Sequence, residues 1–176
     1  RMGLVRNETG LAEGAVSVSY AAIELAKKIF GDLSGRNVLI LGAGGMAKLT
    51  GMHLRAQQVQ QISIASRTLR TAESLATQLG GRAIPWTDLG QALAAADIVV
   101  TATGATEAVL TRAGIHDVMR PRRHRPLFII DIALPRDVEP SVGDPVGGVG
   151  HRRRGIDAEL VDAHQIARAS IRRRCA

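Results

Sequence analysis

Val38, Leu39, Ile40 and Leu41 run without a break into Gly42, Ala43, Gly44, Gly45, Met46 and Ala47, and Leu49, Met52, His53 and Leu54 then recur at helical spacing. An apolar strand, glycines and a helix start, in that order, is the context a G-x-G-x-x-A sequence needs before it means more than a turn. Each small residue then has a task. Gly42 makes the tight turn, Gly44 lets backbone approach a pyrophosphate, and Ala47 lets the helix pack closely on the strand. Phosphate oxygens would lie on the free N–H groups of the helix N-terminus. Residues 42–47 are therefore expected to bind a dinucleotide, against the simpler alternative of a glycine turn with no ligand.

The second candidate lies at the end of the next apolar run, from Gln61 to Ala65, where Ser66, Arg67 and Thr68 follow. Dinucleotide folds usually carry an Asp or Glu about 20 residues beyond the glycines to hold the ribose 2′-OH, and an Arg there accommodates a 2′-phosphate instead. No acid stands here. Arg67 offers a planar fork for phosphate, with the Ser66 and Thr68 hydroxyls beside it, so NADPH is expected in preference to NADH. An Arg at a helix start opposes the helix dipole, which a purely solvated residue would leave unexplained. Thr101, Thr103 and Gly104 end a later apolar run at the crevice where such folds bind ligands, so Thr103 and Gly104 are expected to neighbour the cofactor. Asp131 is either a site residue or a strand-end acid paired with Arg136.

Other chemistry is poorly supported. The five histidines are scattered without metal-ligand spacing, so no metal site is expected. The single cysteine, Cys175, stands among arginines that could lower its pKa, but it sits at the chain end and is read as inert. No residue is assigned a catalytic role. One cysteine allows no disulfide framework, and no apolar run approaches the roughly 20 residues of a membrane span, so a soluble, cytoplasmic chain without membrane contact is expected. The net charge of +7 would suit an acidic partner, yet the arginines gather at residues 120–125, 152–154 and 168–174, and such runs are usually solvated faces or tails. With four aromatics there is little to stack on bases, so base reading by this segment is not expected.

These groups need a frame to hold them. Apolar runs at residues 38–41, 61–65, 83–84, 97–103 and 127–132 alternate with helical patterns near residues 49–54, 69–79, 89–96 and 105–119. That alternation predicts a Rossmann-like, doubly wound parallel α/β sheet with flanking helices and right-handed crossovers. Gly80 and Gly81 should close the second crossover helix. Upstream, Val16 and Val18 alternate with Ser17 and Ser19 before a linker helix from Tyr20 to Phe30, for which Ser17 or Ser19 would serve as N-cap. The first ten residues show no periodicity and look like the middle of a longer polypeptide. Residues 144–176 combine a glycine-rich loop, an arginine run and a modest helical pattern from Leu160 to Ile171; no sixth strand is visible.

Three blocks together resemble glutamyl-tRNA reductases. They are residues 5–10 (Val5, Arg6, Asn7, Glu8, Thr9, Gly10) with residues 14–26; residues 29–33 with Leu41 to Met46; and residues 130–140, which contain Pro135, Arg136 and Asp137. The resemblance covers residues 5 to about 143. It implies NADPH-dependent reduction of glutamyl-tRNA(Glu) to glutamate-1-semialdehyde, the first step of tetrapyrrole (porphyrin) biosynthesis by the C5 route, with this chain supplying the cofactor domain. It places Ser66, Arg67 and Thr68 where the family has Asn-Arg-Thr. Residues 1–34 become the end of the catalytic domain and a linker helix, 35–143 the NADPH-binding Rossmann domain, and 144–176 an irregular basic tail. The family's cysteine nucleophile and its helical dimerisation domain lie outside this middle third. Glutamyl-tRNA contact through those absent domains, a homodimer, and glutamate-1-semialdehyde aminomutase as a partner follow from the same resemblance, and the fragment alone is expected to be inactive. The family's next strand is apolar with an acidic end, whereas this chain has Val149, Gly150, His151 and three arginines, so either the tail has diverged or the reading frame slips near Gly148. Two other functions fit the glycine loop: a shikimate-dehydrogenase-like NADP oxidoreductase, which needs an upstream substrate domain with a catalytic Lys and Asp, and a non-catalytic nucleotide-binding module.

Overall fold

Runs of Val, Ile and Leu with no polar interruption form strands covered on both faces, because a pleated strand sends alternate side chains to opposite sides and here both sides need apolar cover. A computed structural model describes residues 3–123, 125–143 and 158–162. Its sheet contains β1 (Asn37–Leu41), β2 (Gln61–Ala65), β3 (Arg82–Ile84), β4 (Ile98–Thr101), β5 (Leu127–Asp131) and β6 (Ala158–Asp162), in the order β3-β2-β1-β4-β5-β6. All five pairings are parallel. Between the strands run α2 (Gly45–Ala56), α3 (Leu69–Leu79), α4 (Leu89–Ala95) and α5 (Arg112–Met119), and α1 (Gly3–Phe30) precedes them. The doubly wound sheet is the one expected from the alternation of patterns.

Two apolar layers flank it. Val38, Ile40, Ile98, Val100, Phe128 and Ile130 face one layer, with Val18, Ala22, Ile23 and Ala26 of α1, Leu54 of α2 and Leu75 of α3. Leu39, Leu41, Val99, Leu127 and Ile129 face the other, with Leu93 of α4 and Ile115 of α5. The strand order reverses between β1 and β4, so the C-terminal ends of these two central strands flank the crevice where doubly wound sheets bind ligands.

Several expectations need correction. β6 exists: Leu160 pairs with Ile129 and Val161 with Ile130, a long-range match to β5 that the preceding arginine run obscures. α1 is one helix of 28 residues rather than an alternating stretch followed by a helix. Its buried positions Val18, Ala22, Ile23 and Ala26 keep a 3.6-residue period, and Ser19, fully buried, receives a hydrogen bond from Thr50 Oγ1 of α2 at 2.9 Å instead of capping a terminus. On α2 the buried face is Ala47, Thr50, Gly51 and Leu54, while Met52 is 53% exposed; a Cβ at Gly51 would push aside the Leu79 side-chain end of α3, so a glycine here lets the two helices approach closely. Residues 105–111 are not helical, since the Val109 and Leu110 N–H groups donate to the Asp137 carbonyl. Gly80 does close α3, in the left-handed conformation at φ 62°.

The basic loop is not wholly solvated either. Arg122 is 6% exposed and donates to the carbonyls of Leu93, Ala94 and Ala96 at the end of α4 and to those of Arg125 and Pro126. Among the described residues, no helix is long and apolar enough to cross a membrane. Cys175, His151, His164 and the arginine runs at 152–154 and 168–174 lie outside the described residues, as does the helical pattern from Leu160 onward beyond Asp162.

Candidate functional site

Leaving β1, the chain turns at Gly42 with φ 106°, a conformation that side chains other than glycine's rarely adopt. The Gly42 N–H donates to Ala65 O at the end of β2, and a Cβ at this position would overlap the Ala102 carbonyl beyond β4. Gly42 is thus wedged between two strand ends. Gly44 and Gly45 face open space instead, with nothing within 4 Å of the point where a Cβ would stand. Gly44 is the N-cap of α2, no side chain caps the helix, and no acid lies in its first turn. The first-turn N–H groups are therefore directed outward with the positive end of the helix dipole behind them.

These glycines form the floor of a cleft of about 580 Å³, a size within the usual range for small-molecule and cofactor sites. Ala43 and Met46 complete the floor. Ser66 and Arg67 line one side from the tip of β2; Thr103, Gly104 and the residues to Glu107 line the other from beyond β4, with Val109. Trp86, in the short turn after β3, closes the β2 side. The structure so gathers Gly42, Ala43, Gly44, Gly45, Met46, Ser66, Arg67, Thr103 and Gly104 around one space. It leaves out two of the expected residues. Ala47 is fully buried in the apolar layer beneath α2, where its methyl group permits close packing of helix on strand. Thr68 is the exposed N-cap of α3 and does not line the cleft. The Thr71 hydroxyl bonds to the Thr68 carbonyl at 2.7 Å and to Ser66 Oγ at 3.2 Å, tying the start of α3 to the β2 tip.

Two buried acids organise the β4 side. Asp131, at the end of β5, accepts from Thr101 Oγ1 (2.9 Å), Ala133 N (3.0 Å) and Val138 N (3.2 Å), so it ties strand ends together and does not line the cleft. Asp137 is fully buried and accepts from both the N–H (2.8 Å) and the hydroxyl of Thr103. Its main-chain carbonyl receives the N–H groups of Val109 (2.6 Å) and Leu110 (2.9 Å). Burial pushes the Asp137 carboxyl above the usual carboxylate range; the Thr103 bonds oppose that shift and the nearby Asp131 adds to it. Glu139 extends the same turn, its carboxylate accepting from Arg112 N at 2.8 Å. Sequence reading missed Trp86, Val109 and Asp137. Trp86 carried a usable signal, since it is the single Trp and follows a strand whose C-terminal end must open on the same side of the sheet as the glycines.

The profile of the shikimate / quinate 5-dehydrogenase family matches residues 24–148. A glutamyl-tRNA reductase of Syntrophotalea carbinolica is 53% identical over 138 residues, covering 78% of this chain and 31% of that protein. Another, from Nitratidesulfovibrio vulgaris, is 49% identical over 140 residues, or 80% of this chain and 32% of that protein. Among solved structures, the glutamyl-tRNA reductase of Methanopyrus kandleri aligns with a TM-score of 0.76 at 38% identity, covering 96% of this chain and 41% of that one. The chain thus spans about a third of the length of the curated relatives it matches. The resemblance carried by the three sequence blocks is borne out, and with most of its length inside the profile match the chain belongs to the shikimate / quinate 5-dehydrogenase family, with glutamyl-tRNA reductases as its relatives at about 50% identity.

Proposed function

We infer that this chain is the NADPH-holding part of a glutamyl-tRNA reductase, which reduces glutamyl-tRNA(Glu) to glutamate-1-semialdehyde. The observation that carries the reading is the meeting of the glycine loop and Arg67 in one cleft. The residues fit a dinucleotide phosphate. Gly44 and Gly45 leave room where a side chain would stand, the uncapped first turn of α2 offers N–H donors, and no acid occupies the tip of β2. Arg67 is exposed and makes no ion pair among the described residues, so its fork is available to a 2′-phosphate, with Ser66 beside it. Thr103 and Gly104 are neighbours of the other half of the cofactor.

When bound, NADPH supplies the hydride; the chain's own residues bind it, orient it and cover one side of it. In this reading glutamyl-tRNA, the second subunit of a homodimer and glutamate-1-semialdehyde aminomutase are met by other parts of the whole protein. The family profile taken alone suits a shikimate-dehydrogenase-like reductase equally well, and the identity of 53% to a glutamyl-tRNA reductase favours the present reading.

Titration of the chain with NADPH and NADH, with and without Arg67→Ala, tests the assignment. Loss of one charged, hydrogen-bonded contact of about 1.5–3 kcal/mol should weaken NADPH roughly 10- to 100-fold and leave NADH nearly unchanged. Equal weakening of both would overturn the 2′-phosphate role of Arg67.

A further inference from the structure

We propose that Asp137 is a positioning residue that sets the shape of the cleft wall opposite Arg67 and thereby governs how the chain holds the far half of a dinucleotide. The proposal rests on the nucleotide reading above. Residues 103–109 leave β4 and form that wall without regular secondary structure of their own, so their placement must come from contacts elsewhere. Both ends of the segment are held by one residue. The Asp137 side chain takes the N–H and the hydroxyl of Thr103 where the segment enters the cleft, and the Asp137 carbonyl takes the N–H groups of Val109 and Leu110 where it leaves. The Glu139 N–H donates to the Leu110 carbonyl at 3.0 Å, and the Leu110–Val138 bridge completes the stitch.

The arrangement also fixes what Thr103 presents. Its one hydroxyl proton is directed at Asp137, and its oxygen accepts from Ala105 N at 3.2 Å. Thr103 therefore faces the cleft as a methyl group and a lone pair, not as a donor. Removing the carboxylate frees the hydroxyl to rotate, leaves the half-buried Thr103 N–H without an acceptor and unties the entrance of the wall. Among the described residues Ser66 and Arg67 share no hydrogen bond with these groups, while Gly42 lies beside Ala102 and the Thr103 N–H. In a doubly wound sheet the 2′-position of the adenine ribose lies at the β2 end, so the wall built on β4 meets the other half of the cofactor.

That division gives a test with two ligands on the full 176-residue chain. Adenosine 2′-monophosphate carries only the end that Ser66 and Arg67 would hold; NADPH carries both. Asp137→Ala is expected to weaken NADPH by about tenfold or more while leaving adenosine 2′-monophosphate within about twofold. Asp137→Asn keeps an acceptor for the Thr103 N–H and a donor for its oxygen, so it should hold NADPH within about threefold of wild type. Should Asp137→Ala fail to fold, Glu139→Ala, which frees the Arg112 N–H at the far end of the same stitch, should show the same selective loss of NADPH on a smaller scale. A folded Asp137→Ala chain that binds NADPH as wild type does, or one that loses both ligands equally, overturns the proposal. So does a Glu139→Ala chain with no such selectivity where Asp137→Ala does not fold. A wild-type chain that binds neither ligand overturns the nucleotide reading, and this inference with it.

Discussion

Gly42 and Gly44 are two residues apart and answer to different constraints. At Gly44 the backbone sits at φ −83° and a Cβ would meet nothing within 4 Å, so a side chain can leave the backbone there without a clash. Gly44→Val should therefore still fold, at a cost of about 1 kcal/mol for a poorer N-cap, and lose NADPH binding, because its branched side chain fills the space that a pyrophosphate needs. Titration calorimetry showing unchanged NADPH affinity in the folded variant would reduce the loop to a turn. At Gly42 both the positive φ and the Ala102 carbonyl oppose a side chain. Gly42→Ala should accordingly cost about 2 kcal/mol or more in a urea melt, whatever the ligand. Asp137 gives a third residue-level expectation, this time in pH. Its pKa is raised in the folded chain, above the ordinary value of 3.8. A raised carboxyl favours the folded state while protonated; that contribution is complete below 3.8 and is lost as pH rises through the folded value. Urea midpoints of wild type minus Asp137→Asn should thus be most favourable to wild type in acid and decline with rising pH. A difference that stays flat or grows with pH would contradict the assignment.

Among the elements, α4 depends on an arginine from the basic loop that precedes β5. The Arg122 guanidinium gathers three carbonyls at the C-terminal end of this short helix, the closest being Ala96 O at 2.6 Å. Burial draws its pKa down to about 10, which leaves it charged at neutral pH. Arg122→Lys keeps the charge but not the planar fork, and should destabilise the chain by about 3 kcal/mol, while the exposed Arg120→Ala should change it by no more than about 0.5 kcal/mol. Equal melts for the two variants would remove Arg122 from its capping role. Arg122 also shows where sequence reading stops. The bounds of β2 and α3 were legible because a period and a left-handed Gly80 are local signals. The burial of one arginine in a run of similar residues was not, since it depends on where α4 ends after folding. The same applies to β6, whose apolar pair Leu160 and Val161 gains meaning only from register with β5, and to α1, whose alternating Val16 to Ser19 imitates a strand until the partner face on α2 is known. In the candidate site the glycines and Arg67 are contiguous motifs and could be read directly. Trp86 comes from another strand end and reaches the cleft only through the sheet order, as Asp137 reaches the cleft-lining Thr103 from behind.

For the whole molecule the expectation is binding without turnover. Hydride transfer needs an acyl group held about 3–3.5 Å from the donor, and covalent holding of that group needs a nucleophile. The single cysteine, Cys175, is far in sequence from the Thr103–Gly104 wall, and the chain matches only 31% of its relative's length. Supplied with glutamyl-tRNA and NADPH, it should show no loss of nicotinamide absorbance, and Cys175→Ser should behave identically. Consumption of NADPH by the isolated chain would reveal a catalytic group among these residues, and its loss in Cys175→Ser would identify that group. What the chain itself contains is a fixed coordinate. The buried hydroxyl pair of Ser19 and Thr50 locks α1 to α2 along their axes, because a slide of one helical turn, about 5.4 Å, would strand both hydroxyls in an apolar layer. α2 begins at the glycine loop, so α1 works as a ruler whose zero is set at the floor of the cleft. Anything mounted rigidly on the N-terminal half of α1 is thereby indexed to that floor in steps of a full turn, and smaller errors along that axis are suppressed.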